Sequence, residues 1–304
     1  MRGGVLVTGG AGFVGSHLTE LLLAAGERVV VLDDLSRGRR AWLHTKAELH
    51  EVDVRDGAGV QRVVEQVVPE AVVHLAAMHF IPDVDGAPRL AEEVNVAGTR
   101  NLVEALARVP PRVFVFASTA AVYPDRRSPI DETCAPGPLD VYGQTKLEGE
   151  ALVSAFAAES GARCVIARIF NVIGRRETNP HVVPELVGQL RRGEVPVRLG
   201  NLEPRRDYTD VRDVTAALHG LLVARLEASA VFNVGSGRST SVADLVAICE
   251  DVLGRSIEVE SLPSRRRAQD RLELVADATR LREATGWQPK RSLHETLAEL
   301  LGDD

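Results

Sequence analysis

Two segments of the chain carry side chains able to move a proton. Tyr142-Gly-Gln-Thr-Lys146 places a phenol and an ammonium four residues apart, which in a helix puts both on one face. A cation beside a phenol favours the phenolate and draws its pKa down from about 10 towards the working pH. Tyr142 would then act as general base or acid, positioned by Lys146. The second segment, Phe116-Ala-Ser-Thr-Ala-Ala-Val-Tyr123, offers the hydroxyls of Ser118 and Thr119 where a predicted strand ends. In open α/β sheets ligands gather outside the carboxyl ends of strands, so Thr119 can hydrogen-bond the same substrate oxygen as Tyr142. Alone, a tyrosine and a lysine at this spacing describe a solvated helix face; the rest of the sequence makes them chemical.

That context begins at the N-terminus. Thr8-Gly-Gly-Ala-Gly-Phe-Val-Gly-Ser-His-Leu18 is a glycine turn between the apolar run Val5-Leu-Val7 and a helix-patterned segment that starts near Phe13. Gly9 can take a backbone angle closed to other residues, Gly12 presents no side chain to a pyrophosphate, and Gly15 lets the helix lie close against its strand. The phosphates of a dinucleotide would sit at the helix N-terminus, among unpaired N–H groups, with Phe13 and Val14 in the same turn. The next strand ends in Asp33 and Asp34, at about the ~20-residue spacing of a ribose-binding carboxylate. Asp33 would accept both adenosine ribose hydroxyls and repel a 2′-phosphate, which favours NAD over NADP. Arg37, Arg39 and Arg40 follow in the loop and are the groups that could pair with such a phosphate. Asp53-Val54 closes a third strand, where an aspartate meets the adenine amino group or simply ends a turn. A nicotinamide cation would add to the pull on the Tyr142 proton.

Strand candidates are Val5 to Thr8, Val29 to Leu32, Ala47 to Glu51, Ala71 to Leu75, Val113 to Ala117 and Cys164 to Ile169. Helix-period segments lie between them, such as Phe13 to Ala25, stopped by Gly26. The order predicts an α/β protein with a Rossmann-type doubly wound parallel sheet and a smaller, mixed α/β C-terminal lobe. Residues 1–170 are expected to form the cofactor domain, rejoined by about 206–234, and 171–304 mostly the substrate lobe. At 304 residues, 45% apolar and 26% charged, the composition is that of a soluble globular protein. A net charge of -7 leaves no broad basic surface for nucleic acid. Cys134, Cys164 and Cys249 have no metal-ligand spacing and read as reduced packing residues of a cytoplasmic protein; no metal is expected. No apolar stretch approaches the ~20 residues of a membrane span, and no signal-peptide profile precedes the first strand.

Taken together these residues resemble the extended short-chain dehydrogenase/reductase family, the nucleotide-sugar epimerases, dehydratases and 4-keto reductases. The resemblance runs through Thr8 to Gly15, Asp33, Asp53-Val54, His74-Leu-Ala-Ala77, Asn95-Val-Ala-Gly-Thr99, Thr119, Tyr142 with Lys146, Arg168-Ile-Phe-Asn171, Arg206-Asp-Tyr208, Phe232 to Gly237 and Gly286-Trp-Gln-Pro289. It implies that Leu75, Ala76 and Ala77 border the pyrophosphate and nicotinamide ribose, that Lys146 also binds that ribose, and that Asn95 supports the active-site backbone. It further implies that Asn171, Arg206, Arg267 and Asp270 hold the sugar nucleotide's diphosphate and nucleoside, a role guanidinium chemistry suits. His79 and His181 depart from the family pattern at positions that would touch substrate. The helices predicted for Ala91 to Arg108 and Val141 to Glu159 would pair with their copies in a homodimer, as the family often does.

The family's shared opening move, a proton to Tyr142 as hydride leaves the same sugar carbon, does not by itself choose a product. Members that remove water between sugar carbons 5 and 6 usually carry acidic residues after the threonine; here Ala120 and Ala121 stand there and can move no proton. The resemblance therefore implies a 4-epimerase. The alternative is a GDP-linked 4-keto-6-deoxyhexose reductase, because Arg198 to Asp213 is similar to a stretch in such enzymes; a dehydratase or a non-catalytic NAD sensor ranks below both. Replacing Asp33 by Ala is expected to weaken NAD binding by about tenfold or more, the worth of a charged hydrogen bond, and to relax discrimination against NADP. Unchanged selectivity in a binding titration would remove Asp33 from the ribose role.

Overall fold

Four-residue runs such as Val5-Leu-Val-Thr8 have no polar face, so each must be covered on both sides, and that requirement builds a parallel sheet flanked by helices. The computed structural model describes residues 3–126, 129–226, 229–265 and 271–302. In chain order they form β1 (Val5–Thr8), α1 (Phe13–Ala24), β2 (Val29–Asp33), β3 (Glu48–Glu51), α2 (Gly57–Val67), β4 (Ala71–His74), α3 (Ile81–Gly86), α4 (Pro88–Glu92), α5 (Gly98–Leu106), β5 (Val113–Thr119), α6 (Val141–Ser160) and β6 (Arg163–Ile169). Successive side chains alternate between two cores. Val5, Val7, Val29, Val31, Val113 and Val115 meet Leu18 and Leu22 of α1. Leu6, Val30, Leu32, Phe114 and Phe116 meet Val60 and Val64 of α2, Leu102 and Leu106 of α5, and Phe156 of α6. Each such side chain contributes about 1.5–3 kcal/mol when fully buried.

The second half is made of shorter pieces: β7 (Asn171–Ile173), α7 (Val182–Arg191), β8 (Val197–Leu199), β9 (Arg205–Arg206), β10 (Tyr208–Asp210), α8 (Val211–Val223), β11 (Ala230–Val234), β12 (Thr240–Ser241), α9 (Val242–Leu253), β13 (Val259–Ser261), β14 (Glu273–Leu274), α10 (Thr279–Thr285) and α11 (Leu293–Gly302). β11 returns to the edge of the main sheet, whose order is β11-β6-β5-β4-β1-β2-β3 with every pairing parallel. α8 covers the α1 side, through Val214, Leu218 and Leu221. A separate core of Val183, Leu186, Leu190, Leu245 and Leu297 supports the small sheets of the C-terminal region.

The doubly wound parallel sheet is the expected one, with local differences. β5 runs to Thr119, two residues past the predicted end, because Ser118 and Thr119 still pair with Arg168 and Ile169. The helix predicted from Ala91 starts at Pro88 and is interrupted by a π turn over Glu93–Ala97. That wide turn brings Asn95 into the interior, 1% exposed. Among the described residues, no helix is long and apolar enough to cross a membrane.

The glycine turn shows why its residues differ. Gly9 has φ +69°, the left-handed region that glycine enters freely. A Cβ on Gly15 would lie 2.1 Å from the Gly9 carbonyl oxygen, whereas one on Gly12 would meet nothing nearer than that oxygen at 3.3 Å. Gly15→Ala is therefore expected to cost about 1–3 kcal/mol of folding stability through overpacking, read by urea denaturation. Gly12→Ala should leave the midpoint nearly unchanged while impairing dinucleotide binding; equal destabilisation by both would contradict this division.

Candidate active site

The carboxyl ends of the parallel strands open into one continuous cleft of about 1560 Å³. At its inner wall α1 begins after Gly12 with no side-chain cap and no acidic residue in its first turn. Its amino end thus keeps unspent donors and positive dipole facing the cleft. Gly9, Gly12, Phe13, Val14 and Gly15 line this part. Asp33, at the end of β2, accepts from Ala11 N–H at 2.9 Å and from Leu35 N–H at 2.8 Å. Burial pushes its pKa up, and those two hydrogen bonds act against the rise. Gly38, which sequence reasoning missed, crosses so close that a Cβ would stand 2.7 Å from Asp33 Oδ1.

Asp34 and Asp53 line the same end but are engaged locally. Asp34 Oδ1 accepts from Ser36 N–H and hydroxyl. Asp53 takes a forked pair of hydrogen bonds from Arg55, whose guanidinium holds its carboxyl below the usual range. Val54, Leu75, Ala76 and Ala77 continue the lining towards the middle of the cleft. A long groove with an open helix N-terminus at its centre and a carboxylate at one strand end fits a dinucleotide with an unphosphorylated ribose.

Past the middle stand the proton-moving groups. Asp140 caps α6 by accepting from Gly143 N–H at 2.7 Å. Gly143 lets the helix start press on the end of β5, since a Cβ there would lie 2.5 Å from Ala121 O. This approach brings Tyr142 into the cleft with Thr119, whose side chain favours the phenolate. Lys146, one turn on and 2% exposed, lays its ammonium 4.2 Å over the Phe116 ring. The expected downward shift of the phenol is not what the protein's own groups produce. Burial pushes Tyr142 up to about 12, opposed by Thr119 and reinforced by Asp140. Burial also pushes Lys146 down to about 7, against the pull of Glu150. Any lowering of the phenol must then come from charge brought into the cleft.

Two predicted contact residues are engaged by the protein's own groups. Asn95, expected at the cofactor, does not line the cleft: its Oδ1 accepts from Met78 N–H at 2.7 Å, and its Nδ2 donates to Met78 O and Thr145 Oγ1, each at 3.0 Å. It holds the cleft backbone, as the family resemblance implied. Ser118 lines the cleft, where it was expected, and its hydroxyl donates to the buried Glu150 at 2.5 Å, in a network where Arg168 forks onto the same carboxylate.

At the far end the two histidines are brought together, with ring centroids 6.4 Å apart. Asn179 contacts His79 at 2.8 Å and Glu177 lies 3.7 Å from His181. Glu177, buried and pushed up to about 8 by that burial, carries no signal in its polar, turn-rich stretch. Asn171 and Arg206 line the cleft. Arg206 donates to the carbonyls of Arg205 and Arg271. Arg271, also missed, donates to Ala121 O and Tyr123 O, bracing the turn after Thr119. Arg267 and Asp270 lie outside the described residues.

The arrangement can bind an extended anionic cofactor and exchange one proton at an oxygen between Thr119 and Tyr142. Comparison with known proteins agrees. The family model described as "NAD dependent epimerase/dehydratase family" matches residues 5–235. A UDP-glucose 4-epimerase of Corynebacterium glutamicum is 35% identical, over 97% of this chain and 93% of its own. A GDP-6-deoxy-D-mannose reductase of Pseudomonas aeruginosa is 30% identical, over 98% of this chain and 96% of its own. A crystal structure of Thermus thermophilus UDP-glucose 4-epimerase in complex with NAD superposes with a TM-score of 0.90 at 33% identity, covering 98% of this chain and 97% of that one. With its parallel sheet, open helix terminus and tyrosine–lysine pair, the chain belongs to the NAD-dependent epimerase/dehydratase family.

Proposed function

We propose that the protein is an NAD-dependent 4-epimerase of nucleotide hexoses, of the UDP-glucose/UDP-galactose type or a close relative of it. The observation that carries the proposal is the Thr119–Tyr142 couple, set in one cleft with Asp33 and the open end of α1 and flanked by the apolar Ala120 and Ala121. Tyr142 takes the proton of the sugar's 4-hydroxyl and later returns it, while Thr119 holds the same oxygen. Lys146 would hold the nicotinamide ribose. Bound NAD supplies the acceptor for hydride at carbon 4 and the positive charge that lowers the Tyr142 pKa. Gly9, Gly12, Phe13, Val14 and Gly15 cradle the pyrophosphate, and Asp33 selects NAD by its ribose. Asn171, His79, His181 and Arg206 contact the sugar nucleotide, with Arg271 supporting them. The residues that follow Thr119, Ala120 and Ala121, are not acids, which leaves the 4-keto sugar to turn and be reduced on its other face rather than lose water.

We further propose a cytoplasmic homodimer. The exposed small residues Ala97, Ala151 and Ala155 on the π turn and α6 favour close helix packing beside the site. Residues 1–170, with 206–234 returning to them, serve as the cofactor lobe, and most of 171–304 as the substrate lobe. The Pseudomonas relative keeps a GDP-linked 4-keto reductase as the second reading.

Freshly purified protein, once denatured, is expected to release about one NAD per chain, as a closed oxidation–reduction cycle requires. A protein that carries none and binds NADPH or NADH reversibly would favour the reductase. Tyr142→Phe should lower kcat on UDP-galactose by about 10²–10⁴-fold with NAD content nearly unchanged. Full activity in that variant would remove Tyr142 from the chemistry.

A further inference from the structure

One segment of the C-terminal region reaches both the cofactor helix and the far end of the cleft. It leaves β7 at Gly174, whose φ is +150° and where a Cβ would stand 2.6 Å from Val211 Cγ1, so both conformation and space fix the point of departure. Two residues later Arg176 has φ +71°, the left-handed region in which a residue with a Cβ is strained. That strain is met by a specific anchor. The Arg176 guanidinium donates to Ser16 Oγ at 3.1 Å and to Glu20 Oε1 at 2.6 Å, both on α1. His17, on the same helix, contacts the Arg175 carbonyl at 3.0 Å. From this anchor the chain turns into the cleft, where Glu177, Asn179 and His181 form its wall. There it meets the segment after β4: Asn179 touches His79 at 2.8 Å, and the Phe80 and His181 rings meet edge-on at 5.1 Å.

We infer that Arg176 is a positioning residue for the sugar end of the cleft, tying the 174–181 strap to the cofactor helix. The inference rests on the reading of the cleft as a nucleotide-sugar site. Arg176 itself does not line the cleft, so it acts only through the strap it holds. Three contacts from consecutive turns of one helix converge on two neighbouring residues, which a casual surface ion pair would not require. The tether makes α1 a shared part: its amino end faces the cofactor and its side supports the substrate wall. Residues of the strap then bind the sugar nucleotide in one arrangement, set before it arrives.

Arg176→Gly separates the guanidinium from the backbone, because glycine adopts the left-handed conformation without strain. In the full-length, NAD-loaded protein, amide hydrogen exchange over 177–181 is expected to rise by about tenfold or more, with β1 and α1 unchanged. KM for UDP-galactose should rise by about tenfold while kcat stays within about twofold and NAD remains bound. Glu20→Ala should reproduce this, and the double variant should be no worse than Arg176→Gly alone. Exchange and KM both within about twofold of the parent protein, or fully additive effects of the two substitutions, would overturn the inference. A parent protein inactive on UDP-hexoses would instead count against the proposed substrate, and the exchange experiment, which needs no sugar, would still decide whether the tether exists.

Discussion

The floor of the cleft depends on one buried hydrogen-bond chain in which each member has a single role available. Thr99 donates its hydroxyl hydrogen to the Asn95 carbonyl at 2.6 Å, because a carbonyl can only accept. The Thr99 oxygen must therefore accept from His74 Nε2, 3.0 Å away. His74 is fully buried and pushed down to about 3, so it is neutral and its Nδ1 has no hydrogen. Nδ1 accepts from the Thr8 hydroxyl at 2.5 Å, and the Thr8 oxygen in turn accepts from Ala76 N–H at 3.3 Å. The network thus assigns the tautomer. It also joins the end of β1, the end of β4 and the π turn, and Asn95 carries it on to Met78 and to Thr145, next to Lys146. Each bond contributes only about 1 kcal/mol net, but an unmatched member would cost about 1–3 kcal/mol. The backbone at the floor of the cleft is thereby held from the glycine turn and from α6 at once.

Charge is arranged around the same helix with similar economy. Among the described residues no carboxylate touches the buried Lys146; the Phe116 ring faces its ammonium, and Glu150 acts from one turn away. Glu150 is itself occupied by Arg168 and Ser118, and Arg168 lies over the Tyr123 ring, 4.8 Å from its centroid. Tyr123 passes the connection on to Asn233 of β11 at 2.7 Å. Such an ion pair is weak evidence for stability, because desolvating both partners consumes much of their attraction. What it provides is geometry. It fixes the end of β5 against α6, and hence Thr119 against Tyr142.

The parts of this protein that could be read from its sequence are those set by local pattern. Apolar runs buried on both faces, a glycine turn between strand and helix, and a tyrosine four residues before a lysine each carry their own physical signature, and each lies where that signature implies. What could not be read depends on burial by residues distant in the chain. Ser118 lines the cleft, but that Glu150, 32 residues on, takes its hydrogen is not written in the local sequence. The Tyr142 phenol looks acidified by Lys146 until both are enclosed and burial pushes the phenol up and the ammonium down. Glu177 and Arg271 have no neighbours in sequence that mark them, because their role comes from the cleft that the second half of the chain closes around them.

That second half raises a different problem, since two-residue and three-residue strands cannot be held by sheet pairing alone. Asp207 supplies the missing constraint. It is fully buried, and its carboxylate accepts from Ser236 N–H and hydroxyl, Gly237 N–H and Ala276 N–H. Burial raises its pKa, and this ring of donors works to keep it charged. Three chain segments that share no long strand thereby converge on one side chain. Gly235 must be glycine for that reason: a Cβ would sit 2.7 Å from Asp207 Oδ2. Asp207 stands between Arg206 and Tyr208, both of which line the cleft, so the anchor and the groups it presents occupy consecutive residues. The regular sheet positions the cofactor end by packing. The other end, where short strands lie over apolar cores of their own, is fixed in addition by a buried carboxylate, so part of its precision is electrostatic.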